Sequence, residues 1–505
     1  MMKHYGYLFL LGLLFIGCAK EQQPKFDKTK NFEQELLQLQ DFFKIPGLAV
    51  VVLEGEETVQ EAYFGVSDVE RKIALDAEVV FPIASVTKVF SGVLMMKLVE
   101  QGKLSLDDSL KTYFPNLPIK EPILIKHVLS HTSQGDEVGK HFYYSSRFGA
   151  LTKIIEEGSG DTFEAYMKAE IFDPLGLKNT FLLKDSLQLA ESNFTVAQPY
   201  ILEEGTITKG FMDYGSSASA GIVSNLKDLS TFNNALDQDI LISKESKELL
   251  FKGIEEDLPY GYGIFSEKFQ GEPLIWAYGQ YDCYSGLWLK VPSKNLSLIL
   301  LANNNLMSDP ARLIYGDVTS SLFALSFLKN YVYQISDMPL FETGASTTTE
   351  QAYTNKEFYQ KKLLSQALSS SFMARFDVKH METSKMLLNK VFSEFPNYLE
   401  YADINLMHTL SFLKDVAFYR DMESFNDFDQ QIEEMGVHLL KQDPHNPYLH
   451  MYMGTYFDRK GDVEKTFFHF RQIVEANNFS RNWYTVEAEN WLKETKPDYK
   501  ISKAK

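Results

Sequence analysis

Apolar residues recur along the chain with two different periods. In "NFEQELLQLQDFF", beginning at Asn31, they fall at helical spacing. "GLAVVVLEGEETVQEAYFGV" reads as two strands around a turn at Glu54-Gly55. A long helical stretch follows Ser85. "EPLIWAYGQYDCYSGLWLKVPSKNLSLILLANNN" reads as three short strands with a turn at "PSKN", and a helix from roughly Ala311 to Tyr331 comes next. This part opens with helix and strands and closes with strands and helix, while its middle is mostly helices and loops. The pattern predicts an α+β unit whose terminal strands form one sheet. Residues 336–355 are rich in Thr, Ser and Gly without periodicity and read as a linker. From Lys356 to about residue 500 the chain reads as helix after helix.

The remaining apolar run, Tyr7 to Ile16, changes the picture at the N-terminus. It follows a basic Lys3 and is too short to span a bilayer as a helix, which fits a secretory signal. It ends in "FIGC", which resembles the bacterial lipobox. That resemblance implies a signal over 1–18, lipidation of Cys18, a tether over 19–30, and an exported chain anchored by lipid in the periplasm or at the cell surface. A plain cleaved signal or an uncleaved anchor is the alternative. The chain has two cysteines, so neither processing route leaves a disulfide scaffold, and Cys283 has no intramolecular partner.

With 505 residues the chain is too long for one compact core, and 45% hydrophobic content is a globular value. The net charge of −18, without any Lys/Arg cluster, argues against nucleic acid as a partner.

The chemistry concentrates in "FPIASVTKVFSGVLMMKLVEQGKLSLDDSL". Ser85 and Lys88 stand three apart at the start of a helix, so one turn places the amine beneath the hydroxyl. Serine is a poor nucleophile without an adjacent base, and a buried lysine can release its proton and serve as one. The helix start also offers free N–H groups to a developing oxyanion. An N-cap serine with a surface lysine gives the same spacing, so the rest of the chain has to decide.

It does so through an ordered set of stretches. "SVTKVFSGVLMMKLVEQGKLSLDDSL", "HVLSHTSQG", "FYYSSRFGALTKIIEEGSGDTFEAYMKAEIFDPLGLKNT", "SASAGIVSNLKDLSTFNNAL" and "YGYGIFSEKF" together resemble the serine β-lactamase and penicillin-binding-protein-like family over about residues 31–330. The resemblance implies a β-lactamase-like fold over 31–335, with an antiparallel sheet flanked by helices and a mostly helical subdomain. It implies an acyl-enzyme on Ser85, with Lys88 as base and Tyr144 as proton shuttle, and no cofactor or metal. The family's Tyr-x-Asn motif reads Tyr144-Ser145-Ser146, so Ser146 replaces the asparagine that holds lysine and substrate; Tyr143 is the alternative tyrosine. The gap from Ser85 to Tyr144, 59 residues, is short for the family. The Lys/His-x-Gly motif reads Ala277-Tyr278-Gly279, with Gln280 supplying the second oxyanion N–H; a gapped reading would use Gln280-Tyr281-Asp282.

Ala277 standing where the family keeps a base removes a charge-assisted contact to an anionic substrate. The expected substrate is therefore a small ester, amide or peptidoglycan-like molecule in the cell envelope, with weak or no β-lactamase activity. A degenerate family member, binding a ligand or scaffolding a protein without turnover, is the other reading. His127 and His131 have zinc-like spacing but no Glu or third ligand to go with it. "GDEVGKH" lacks a P-loop's length and its Ser/Thr, and no G-x-S-x-G elbow occurs. In the C-terminal helices, Gly454, Phe457, Gly461 and Phe470 fall at tetratricopeptide offsets, and Ser384, Leu388, Val391 and Pro396 fit half of a second repeat. Residues 356–500 are thus expected to form an all-α tetratricopeptide-like domain, a surface suited to a protein partner, with a generic helical bundle as the alternative.

Overall fold

The structure is a computed structural model and describes residues 26–116, 122–255, 257–342, 353–422, 426–476 and 478–500. The signal, Cys18 and most of the tether lie outside these residues, as does the middle of the 336–355 linker. Among the described residues no helix is long and apolar enough to cross a membrane.

Seven antiparallel strands form the main sheet. In chain order they are β1 (Gly47–Glu54), β2 (Glu57–Asp68), β3 (Ile73–Ala74), β4 (Phe265–Phe269), β5 (Glu272–Tyr281), β6 (Tyr284–Val291) and β7 (Leu296–Ala302). Their spatial order is β4-β5-β6-β7-β1-β2-β3, so the two ends of the hydrolase-like part meet where β1 pairs with β7. β1 is central and reads as an almost unbroken apolar run because both of its faces are covered. Its residues alternate between two cores: Leu48, Val50 and Val52 face one, and Ala49, Val51 and Leu53 the other. A second sheet of four very short strands (Val79–Pro82, Phe181–Leu182, Thr195–Val196, Ile222–Ser224) lies in the part expected to be helices and loops.

α1 (Lys28–Phe42) starts three residues before the expected domain boundary, because the Asp27 side chain caps it by accepting from the Lys30 N–H. The helix expected over 311–331 begins only at Leu322. Gly316, at φ +87°, and the capping side chains of Asp317 and Ser321 break the first half into 3₁₀ turns. The helix over Leu322–Phe327 runs on into a π turn. There Lys329 and Asn330 close on Glu35 of α1, and Ser326 Oγ donates to the same carboxylate at 2.6 Å. This buried charge is fully partnered.

The C-terminal helices Lys356–Met373, Lys379–Glu394, Ile404–Tyr419, Asp429–Gln442, Pro447–Arg459, Val463–Glu475 and Trp483–Thr495 do not stand apart. Phe358, Leu363, Leu368, Leu406, Tyr448 and Leu492 belong to the same continuous core as Leu48, Trp276 and Phe323. Met338 and Leu340, inside the expected linker, are buried in it as well. Where the tetratricopeptide offsets place a small residue opposite an aromatic, the structure does too: a Cβ on Gly454 would meet Phe470 Cε1 at 2.3 Å. Gly461 turns the chain between the two helices at φ +74°.

Candidate active site

Ser85 sits in a 3₁₀ turn, Ala84–Val86, that feeds the helix Thr87–Glu100. Ala84 has φ +45°, a left-handed conformation that stores strain in a non-glycine residue directly before the serine. Ser85 itself stays partly exposed, whereas Lys88 is buried, with 4% of its surface exposed. Lys88 Nζ lies 2.9 Å from Ser85 Oγ and 3.0 Å from the carbonyl oxygen of Ser219. The expected neighbour Ser146 is exposed and makes no hydrogen bond to Lys88. The lysine is instead held by the main chain of "SASAG". That role for Ser219 was not legible in the sequence, although the stretch itself was. Ser219 Oγ is buried without a partner beside this contact.

The Tyr144 ring lies with its centroid 5.1 Å from Lys88 Nζ and stacks on His131 at 4.3 Å. Tyr143 is committed elsewhere, its hydroxyl donating to Asp443 at 2.8 Å, so Tyr144 is the tyrosine next to the Ser–Lys pair. His131 is fully buried and accepts the Ser145 N–H on Nδ1 at 3.0 Å. His127 accepts the Leu124 N–H at 3.1 Å. His131 thus serves the backbone of the segment that carries Tyr144, and His127 the start of its own helix, Ile125–Leu129.

Burial, then the neighbouring Lys88, holds His131 well below its ordinary pKa; burial, then Lys126, takes His127 down to about 4. Both groups are neutral when folded but take up a proton near 6.5 when unfolded. The unfolded chain therefore binds more protons between about pH 6.5 and 4, and stability falls on acidification through that window. Thermal melts should show the midpoint dropping from pH 7 to about pH 4.5; a constant midpoint would contradict this assignment of neutral histidines.

β5 forms the opposite wall. β4 pairs with it only as far as Trp276, so the edge from Ala277 to Tyr281 is free to receive the Ser85 turn. The two-residue turn Asp282-Cys283 makes Tyr281 and Tyr284 the closing hydrogen-bonded pair of the hairpin. Alternation then leaves the N–H of Gln280 pointing away from β6, towards that edge. The Gln280 side chain donates to Asp309 Oδ1 at 2.9 Å and the Gly279 carbonyl accepts from Ser308 Oγ at 3.2 Å, which fixes the strand end. Ala277 is buried in the same core as Ile83 and Val86. Tyr278 points to the other face, beside Tyr144, and burial first and Tyr144 second raise its pKa well above the ordinary value.

Gly279 is required by packing: a Cβ there would meet the Ile83 carbonyl oxygen at 2.0 Å, two residues before Ser85. Gly279→Ala should therefore push the Ser85 turn off β5 and destabilise the fold by about 1–3 kcal/mol. Melting together with active-site labelling would check it; unchanged melting and labelling would show that the strand can move.

Cys283 is fully buried, not half-buried as its turn position implies. Its sulfur accepts the Phe211 N–H at 3.3 Å, and burial raises its pKa. It has the environment of an inert structural thiol.

The segment bearing Tyr144 also contacts the loop before the last C-terminal helix. Arg147 reaches Ser480 Oγ at 3.0 Å and the Asn478 carbonyl at 3.0 Å; Gln134 accepts the Ser480 N–H at 2.8 Å. Phe479 packs on Tyr143 at 5.1 Å.

An antiparallel sheet flanked by helices, with a serine-lysine pair at the start of the helix facing β5, is a β-lactamase-like fold. The sequence model of the family described as Beta-lactamase matches residues 33–317, over half of the chain, and the chain belongs to that family. Among curated relatives, Protein flp of Staphylococcus aureus (strain MW2) is 24% identical over 305 residues, 52% of this chain and 60% of flp. Penicillin-binding protein 4* of Bacillus subtilis (strain 168) is 24% identical over 304 residues, 50% of this chain and 67% of the relative. The chain thus spans about three fifths of the length of flp. Among solved structures, the octameric penicillin-binding protein homologue from Pyrococcus abyssi superposes with a TM-score of 0.54 at 24% identity, covering 67% of this chain and 81% of that one.

Proposed function

We propose that the protein is a serine hydrolase that forms an acyl-enzyme on Ser85 and acts on ester or amide bonds of neutral, peptide-like substrates. The observation that carries this reading is the 2.9 Å contact between Lys88 Nζ and Ser85 Oγ, with the lysine buried and the serine within reach of solvent. Ser85 Oγ attacks the substrate carbonyl as its proton passes to Lys88. The N–H groups of Ser85 and Gln280 take the oxyanion. Tyr144 relays the proton to the leaving alcohol or amine, which departs as the acyl-enzyme forms. Water then releases the acid. Tyr278 and Gly279 line the strand side of the substrate, and Ser146 borders the site from a shorter arm than asparagine would.

The buried Ala277 supplies no charge for a substrate carboxylate, and this supports neutral esters and amides over penicillins. Lipid anchoring through Cys18 would put the activity in the cell envelope.

Fluorophosphonate labelling followed by mass mapping tests the reading. An adduct on Ser85, absent in Ser85→Ala, is the expected result. No adduct with fluorophosphonate, ester or amide probes would leave a ligand-binding or scaffolding role. Efficient penicillin hydrolysis that is lost in Ser85→Ala would overturn the substrate class.

A further inference from the structure

Only eight of the chain's fifty basic side chains are arginines. Four of the eight, Arg312, Arg375, Arg420 and Arg459, line a single cavity of about 530 Å³ with no lysine in its walls. Arg312 comes from the hydrolase part and the other three from the C-terminal helices, so the cavity exists only where the two meet. Selecting arginine over lysine is the signature of planar, two-pronged recognition of an oxyanion.

The protein pairs only two of these four guanidiniums with carboxylates. Arg459 pairs with Asp415, and Arg312 leans on Asp309 at 3.4 Å. Arg375 lies over the rings of Phe372 and Phe412, and neither it nor Arg420 forms an ion pair among the described residues.

A second, independent observation lies in the cavity wall. His408 is 3% exposed, and its Nε2 accepts from Arg312 Nε at 3.2 Å. A guanidinium can only donate, so the ring proton of neutral His408 sits on Nδ1. Nδ1 is buried and has no partner, an N–H donor without an acceptor.

We propose that this cavity binds the carboxylate end of a short peptide-like ligand, at a site distinct from Ser85. Arg375 and Arg420 grip the anion from the mouth, and the wall with Arg312 and the His408 Nδ1–H completes its acceptor demand. Four guanidiniums stand against the carboxylates of Asp415 and Glu487, with Asp309 already engaged by Arg312, a balance that suits a singly charged anion better than a doubly charged one. The volume exceeds that of a lone ion, and Trp483 and Tyr419 offer aromatic walls for the residues preceding the carboxylate.

The test is calorimetric titration of full-length Ser85→Ala protein, in which turnover is blocked, with N-acetyl-Ala-Phe-Ala, with the same peptide as its C-terminal amide, and with inorganic phosphate. The acid should bind with Kd below about 1 mM and the amide at least about tenfold more weakly. Adding Arg375→Gln and Arg420→Gln should weaken the acid by at least about tenfold and erase the difference between acid and amide. Both side chains are exposed, so melting should be unchanged. No binding of the acid, equal binding of acid and amide, or indifference to the double substitution would overturn the site. Phosphate binding more tightly than the acid would overturn the ligand class.

Discussion

Lys88→Met should slow fluorophosphonate labelling of Ser85 by roughly 10²–10⁴-fold, the range expected for removing a positioned general base. Methionine keeps the length and apolar stem of lysine in a site where only 4% of the side chain's surface is exposed. The packing against Tyr144 and Phe148 therefore persists while the nitrogen at 2.9 Å from Ser85 Oγ is lost. The Ser219 carbonyl also loses its donor, a cost of about 1–3 kcal/mol that should show as a lower melting point. Two readouts separate these effects. The melting curve reports the structural cost, and labelling at temperatures where the Met variant is fully folded reports the loss of the base. Labelling that stays within about threefold of the unmodified rate would remove Lys88 from the proposed role.

The second large effect concerns the helices after residue 355. A chain ending at residue 341 should be insoluble, or soluble without a cooperative melt. The face of the sheet bearing Leu48, Trp276 and Leu300 shares one core with Phe358, Leu406 and Tyr448. Removing the helices would open an apolar surface well beyond the few hundred Å² a soluble monomer tolerates. The active site should suffer directly too, since Tyr143 loses Asp443, and Arg147 loses Asn478 and Ser480. Arg147→Ala in the full-length chain isolates that second consequence. It should leave the protein folded but slow the labelling of Ser85, because the Tyr144 segment loses its outer support. A fragment over residues 26–341 that melts cooperatively and labels at the full-length rate would show that the helices are dispensable.

The pattern of the sequence carried the central sheet because its strands are long and both faces are covered, so "GLAVVVLE" and "LSLILLA" stand out as apolar runs. Ser85 and Lys88 were legible because their relation is local, one helical turn. Tyr144 was placed by its neighbours in the chain, and the structure chose it over Tyr143 by engaging Tyr143 with Asp443. What escaped were relations across long separations. The hold of Ser219 on Lys88 spans 131 residues, and that of Asn478 on Arg147 spans 331. A main-chain acceptor leaves no mark on residue type, and strands of two to four residues, such as Thr195–Val196, are too short to show a period. The composition shift at 336–355 was visible, but it marks a change in secondary structure and not the edge of a core, since Met338 and Leu340 are buried.

The contact between the Tyr144 segment and residues 478–480 also has a bearing on synthesis. A growing chain acquires its nucleophile, base and tyrosine by residue 144, and the strand facing them only with residues 272–281. The support behind that tyrosine is made more than three hundred residues after the tyrosine itself. Competence of the site is therefore a late event, and until then an apolar sheet face waits uncovered, a state prone to aggregation and to chaperone capture. A premature stop between residues 456 and 477 would leave a chain with every proposed catalytic group present but without the partners of Arg147 at Asn478 and Ser480.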